Sequence, residues 1–462
     1  MFVEKKKFKL FDAILSVICV VFVAEAAAPA AAIGNSQFFW WIFLIVAFLL
    51  PYGMIASELG TTYDDEGGLY DWVRRAYGDK WGSRVAWYYW VNFPLWMASL
   101  AVMFPSTINF ITGSEMGVLP SILIELVFIW IVVLLSFSRV SDSKWVLNLS
   151  AFIKVLIAVA LGGLGIYVAA TRGAANEYTV QSMLPSLDLN SLSYISVILF
   201  NFMGFEVITS FASDMENPKK QIPQAIIAGG IAIAVIYIFS SFGIGVALPA
   251  DQISTSSGLM DSFQLLLGEG GGAFLIIVAI LFLVTLFGNM VSWSYGVNYV
   301  ADYAAKNGSL PKVFARESAK TGMPTGAAVM NGIVASVLVV VAPFLPSQDL
   351  FWSFFALNVI TLLMSYIPMF PAFLKLRKID PDRERPFKVS GGALKLRLMV
   401  IAPLVLLIIS IVLSCVPLNT SADELSAKGP LLVGTLIAIA IGEIICRRSS
   451  KVSEQESVQN IK

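Results

Sequence analysis

The stretch DAILSVICVVFVAEAAAPAAAIGNSQF, Asp12–Phe38, sets one carboxylate, Glu25, inside an otherwise membrane-grade apolar run. A bare charge at the centre of a transmembrane helix costs roughly 2.5–3.5 kcal/mol, so such a residue should face a cavity or a partner rather than lipid. Pro29 follows four residues later, removing a backbone donor and disfavouring helical geometry at Ala28, and Gly34 loosens the chain beyond it. The helix is therefore expected to break in this region, beside Ala26 and at Pro29. Non-helical backbone at membrane depth survives only where protein buries it or where it lines a water-filled cavity, so the break and the charge point to one site. The alternative is a kinked helix whose glutamate pairs with a neighbour.

The rest of the chain sets the class. Of 462 residues 57% are hydrophobic and only 13% charged, with a mean hydropathy of +0.79, a composition that fits a polytopic membrane protein and excludes ordinary soluble enzymes. Lys5, Lys6, Lys7 and Lys9 lead into an apolar run too long for a signal-peptide core, so it reads as a first span, not a cleaved leader. Cys19, Cys415 and Cys446 show no metal-ligand spacing, and histidine is absent. Neither a metal site nor a cofactor is expected. The missing imidazole also argues against most membrane-embedded hydrolases.

Runs long enough to cross a bilayer fall near 10–32, 38–59, 84–111, 118–137, 145–170, 193–213, 224–248, 272–302, 326–345, 350–374, 398–416 and 429–446, giving an all-α protein of twelve transmembrane helices. With the N-terminus in the cytoplasm, the loops and tails on that side hold 28 of the 31 Lys and Arg residues, all but Lys154, Arg172 and Lys428. This split fixes both the even count and the orientation, with both termini cytoplasmic. The chain divides into a tail (1–9), a ten-helix core (10–374, as repeats 10–170 and 193–374), a basic cytoplasmic loop (375–397), two further helices (398–446) and a tail (447–462) that reads as disordered. The basic loop suits a topology anchor drawn to anionic lipid better than any nucleic-acid contact.

Several spans carry polar interruptions. Between the second and third, Gly67-Gly68 allows a turn, and Tyr70, Trp72 and Trp81 suit the headgroup level. Asn92 and Pro94 together interrupt the third span, with a possible kink. Glu125 in the fourth is either a cavity group or a bundle pair. Lys154 in the fifth needs an anionic or carbonyl partner, snorkelling being the plain alternative. The sixth groups Asn201, Gly204 and Glu206 beside Phe205, which predicts a second broken helix. Matching breaks in the first and sixth spans are the pattern of two inverted five-helix repeats, whose half-helix ends meet near the midplane. Asn289, Ser292, Trp293, Ser294 and Asn298 in the eighth span are too polar for lipid, so one face there should line a cavity.

Taken together, GGLYDW (67–72), FNFMGFEVITSFASDMENPKKQIPQAI (200–226) and KNGSLPKVFAR (306–316) resemble the amino acid–polyamine–organocation (APC) transporter superfamily, whose members share a ten-helix LeuT-type core with broken helices 1 and 6. The resemblance covers essentially every span. VAEAAAPAAAIG (23–34) and QFFWWIF (37–43) bring it nearest to bacterial agmatine–putrescine antiporters, beside the glutamate–GABA antiporters. Carriers of α-amino acids in this superfamily typically have a Gly-Ser-Gly-like run at the first break, which receives the substrate carboxylate. Here Val23-Ala24-Glu25-Ala26 replaces it, and a carboxylate side chain repels that group and attracts an ammonium or guanidinium.

The resemblance implies an alternating-access exchanger of the bacterial cell membrane, importing agmatine and exporting putrescine, and not an enzyme. Glu25 would be the counter-ion, with Asn92 and Asn201 supplying hydrogen bonds. Trp293, 18 residues before Pro311, would stack on the guanidinium. Phe200 takes the place of an aromatic gate. Lys154 matches a lysine that stands in for sodium and would latch the first helix to the eighth, while Glu206 steadies the sixth; each could instead be a plain bundle ion pair. Tyrosine–tyramine or glutamate–GABA exchange is the same-class alternative, an ion channel a more distant one. Membrane lipid is the other partner, nucleic acid is not, and oligomeric state stays open.

Overall fold

Apolar runs in lipid fold as helices because every backbone group must be satisfied within its own segment. The computed structural model describes residues 9–65, 67–185, 187, 192, 195–344 and 350–459. The helices are α1 (Leu10–Val21), α2 (Ala27–Ala31), α3 (Gln37–Thr62), α4 (Gly68–Tyr77), α5 (Asp79–Thr112), α6 (Val118–Leu135), α7 (Val140–Thr171) and α8 (Ile195–Phe200). After a 3-10 segment, Phe205–Asp214, come α9 (Pro218–Ala247), α10 (Gly258–Leu267), α11 (Gly272–Lys306), α12 (Thr325–Val341), α13 (Leu350–Tyr366), α14 (Met369–Ile379), α15 (Ala393–Cys415) and α16 (Ala422–Gln459). Ten helices among the described residues are long and apolar enough to cross a membrane, and α1 with α2, bent by 52°, makes an eleventh candidate. The run expected as the sixth span is a shorter apolar helix, interrupted after Phe200.

Both expected breaks are present, and they face each other. α1 packs against the 3-10 segment while α2 packs against α8, so the first half of each broken helix lies beside the second half of the other. Around them, α5 packs on α13 and α11, and α7 on α9 and α11. α5 runs unbroken through Pro94 and Pro105, so the interruption at Asn92 does not divide the third span.

Expectations change at the connection after α3 and at the C-terminus. The connection after α3 is helical, and Tyr70 and Trp72 are buried in the bundle rather than lying at a headgroup level; only Trp81, 47% exposed, points outward. The basic loop, expected as a topology anchor, is also tied to the bundle. Arg377 and Arg385 both reach the buried Glu58 at the end of α3, Arg385 at 3.4 Å, and the Val389 amide donates to the same carboxylate at 2.7 Å. Arg383 adds a bond to the Thr62 carbonyl at 3.0 Å, so the loop is clamped onto the bundle by hydrogen-bonded charge. At the C-terminus, α16 continues to Gln459 where a disordered tail was expected, because residues 447–459 contain neither Gly nor Pro to stop it. Residues 1–8 of the expected N-terminal tail lie outside the described residues.

Candidate functional site

The first break falls one turn before Pro29. A proline ring clashes with the carbonyl four residues back, here that of Glu25, while the first turn of a new helix tolerates its missing N–H. Pro29 accordingly sits in the first turn of α2 and Ala28 stays helical, contrary to expectation, while Phe22 and Val23 are extended and Ala24–Ala26 forms a 3-10 turn. Gly34, with φ +77°, ends the segment.

Extended backbone exposes the last carbonyls of α1, and each finds a donor from another helix. Lys154 Nζ donates to the carbonyls of Cys19 and Phe22 at 2.7 and 2.6 Å. Asn289 Nδ2 donates to Cys19 and Val20 at 3.3 and 3.2 Å, and Trp293 Nε1 to Val20 at 2.8 Å. The Tyr237 hydroxyl accepts from the Val23 amide at 2.8 Å and lies 3.3 Å from the Val23 carbonyl. Lys154, 1% exposed, therefore neither snorkels nor pairs with an acid. It ties α7 to the break; α11 arrives there through Asn289 and Trp293, so the expected latch from Lys154 to the eighth span is made by other side chains.

The second break opens at Asn201. Gly204 has φ +98°, donates its N–H to the Tyr366 hydroxyl at 3.1 Å, and would place a Cβ 2.8 Å from the Trp293 ring. Only glycine suits both that dihedral and that approach. Trp293 thus stands between the breaks, its N–H on one and its ring against the other. Glu206 just beyond has no cationic partner; the hydroxyls of Tyr52 and Tyr89 donate to its carboxylate, Tyr89 at 2.8 Å, which removes the ion-pair reading. Phe205 packs against Tyr52, with ring centroids 6.0 Å apart. Phe200 packs between Trp96 and Phe355, at 5.6 and 5.2 Å.

Several buried polar side chains have no partner, Ser292 and Asn358 among them, and two of these stand at the breaks themselves. Glu25 is 2% exposed and Asn201 fully buried, yet neither carboxylate oxygen of Glu25 and neither amide atom of Asn201 has a hydrogen-bond partner. Buried polar groups are ordinarily paired, and an orphan costs about 1–3 kcal/mol or more when charged. The predicted Asn92 is different: its amide turns back to the Tyr89 carbonyl of its own helix. Asn298 likewise accepts from Asn331 at 2.7 Å, away from the break. Of the polar row in α11, Asn289 and Trp293, one turn apart, are the pair that reaches the first helix. Tyr237, Tyr52, Tyr89 and Tyr366 went unread in the sequence. Each is a phenol in an apolar run, whose hydroxyl needs a partner once buried, and that was the available signal.

The profile of the amino acid permease family matches residues 8–441. The chain belongs to the amino acid permease family. This permease is 61% identical over 448 residues to a probable agmatine/putrescine antiporter of Lactococcus lactis, covering 97% of this chain and 96% of the relative. An uncharacterized transporter of Legionella pneumophila is 26% identical over 404 residues, 86% of each chain. A probable polyamine transporter of Arabidopsis thaliana is 26% identical over 399 residues, 84% of the permease and 74% of the plant protein.

Proposed function

We propose that this permease exchanges agmatine for putrescine across the cytoplasmic membrane of a bacterium. The observation that carries the reading is the buried Glu25 carboxylate, placed at a helix break with both oxygens unpartnered. Its charge selects a cation, and its low-dielectric surroundings strengthen that attraction. Asn201, with both amide atoms free at the facing break, hydrogen-bonds the substrate. Trp293 offers its ring to the guanidinium of agmatine. The tyrosine-held Glu206 and the carbonyl-held Lys154 keep the two breaks in shape and touch no substrate. Phe200, with Trp96 and Phe355, forms an aromatic gate, and Asn92 acts through the α5 backbone rather than on the substrate.

In this reading the chain crosses the membrane twelve times, α1–α2 and α8 with its 3-10 segment being the broken first and sixth spans of two inverted five-helix repeats. The pairing of α1 with the 3-10 segment and of α2 with α8 supports that symmetry. The end bearing Arg377, Arg383 and Lys306 faces the cytoplasm, as do both termini. Both substrates are dications near neutral pH, so one-for-one exchange moves no net charge. Sodium is unnecessary because the Lys154 ammonium occupies the carbonyls that a metal would bridge.

Counterflow in proteoliposomes tests the proposal. External labelled agmatine enters only when putrescine or agmatine is loaded inside, and arginine, tyrosine and glutamate compete poorly. Entry into empty vesicles, or strong inhibition by those amino acids, points instead to uniport or to amino acid–amine exchange.

A further inference from the structure

At the end of the bundle opposite the basic loops lies a cavity of about 510 Å³ between α5, α6, α10 and α11. Glu125 lines it, 6% exposed, and no hydrogen bond or ion pair joins it to another side chain among the described residues, which favours the cavity reading of that residue. No lysine or arginine is among the lining residues.

Four of the hydroxyls around it are already committed as donors, while the lining Asn109 accepts from the Met116 amide at 3.1 Å and keeps its own amide N–H as a donor. Ser106 donates to the Val102 carbonyl at 3.2 Å, Thr107 to Met103 at 2.7 Å, Ser121 to Gly117 at 3.1 Å and Ser257 to the Asp261 carboxylate at 2.6 Å. What they turn to a ligand is therefore oxygen lone pairs. One negative charge among hydrogen-bond acceptors calls for a positively charged donor. A metal ion is poorly served, since no group of three acidic, Cys or His side chains occurs among the described residues. Met103, Met260 and Phe282 supply an apolar wall for a short alkyl chain.

Two further features bear on how the cavity relates to the first break. Phe104, Phe128 and Phe287 form a cluster with centroids 4.4 to 5.1 Å apart, Phe287 meeting the other two edge to face, about one turn deeper along α6 than Glu125. Its side wall, α10, also leans on the half-helix that follows Glu25: a Cβ on Gly258 would come within 3.1 Å of Ala28 Cβ. One rigid element thus touches both places.

We propose that this cavity is a second cation site, in which Glu125 anchors a primary alkylammonium beside the hydroxyl oxygens of Ser106, Thr107 and Ser121, and that its occupancy acts through α10 on α2. The site stands on Glu125 and not on the exchange reading. Such an ammonium comes from a free amine or from an aminophospholipid headgroup.

The test is the stoichiometry of labelled putrescine on the full chain in nanodiscs of phosphatidylcholine and phosphatidylglycerol. Wild type should bind two equivalents, Glu25→Gln one, Glu125→Gln one, and the double variant none. Ser121→Phe, which fills the cavity without touching the charge, should also lose one equivalent, so the result does not rest on a single variant. If Glu25→Gln binds nothing, or Glu125→Gln keeps the full wild-type count, the site is overturned, whereas a failure of counterflow alone removes the exchange reading and leaves this count standing. Phosphatidylethanolamine that displaces the Glu125-dependent equivalent identifies the lipid headgroup as occupant, and its persistence identifies the free amine. A changed exchange rate in Glu125→Gln at saturating external amine reports the coupling through α10; an unchanged rate removes the coupling.

Discussion

Glu25→Gln separates the proposed role of the first-helix break from a merely structural one. The replacement keeps side-chain volume and removes one charge from a residue whose two oxygens have no protein partner. No hydrogen bond of the resting protein is lost, and Lys154 keeps both of its carbonyl acceptors. The apo protein should therefore melt within a few degrees of wild type. Substrate binding should change greatly. Breaking a buried charge pair by removing one partner costs about 3–5 kcal/mol, and each 1.4 kcal/mol is tenfold, so agmatine affinity should fall roughly a hundred- to several-thousand-fold. Two assays read this together: counterflow in proteoliposomes, and thermal unfolding with and without agmatine. A ligand at a hundred times its Kd stabilises by about 2.7 kcal/mol, and in the variant that increment should shrink to whatever binding at Glu125 contributes. Exchange within threefold of wild type, or an apo melting point lowered as far as that of Lys154→Met, would show that the carboxylate supports the fold and not the substrate.

Lys154→Met strands the buried Phe22 carbonyl and leaves Cys19 only its longer bond from Asn289, which should cost roughly 1–3 kcal/mol, seen as lost expression or a depressed melting point regardless of substrate. Replacing sodium by potassium should leave wild-type exchange unchanged. Trp293→Leu should weaken agmatine more than putrescine, by about 0.5–2 kcal/mol of cation–π contact, read as a selective rise in the agmatine KM. Gly204→Ala meets both a positive φ and the Trp293 ring, and exchange should drop even where the protein still folds. Glu58→Gln releases the arginine clamp, and hydrogen exchange across residues 380–392 should quicken by at least roughly tenfold, with slower recovery in alternating labelling from the basic side.

Much of this was legible in the chain as written. Hydropathy, the lysine and arginine split and the two interrupted spans name a polytopic all-α protein with paired helix breaks, because in lipid each span must satisfy its own backbone and a charge or proline inside one is costly enough to show. Glu25, Asn201, Gly204 and Trp293 were all found this way.

Partnership was not legible. That Lys154 serves carbonyls and not an acid, that Glu206 sits among tyrosines, and that Arg377 folds back on Glu58 are contacts between residues 117 to 319 positions apart, and no local pattern encodes them. The register of the first break was not legible either, since the clash of Pro29 acts on the residue four before it and the break falls a turn earlier. Composition and spacing therefore determined which residues are too expensive to be idle. Only the packing decided which of them are already answered by a neighbour, and which, Glu25 and Asn201 among them, are left without one.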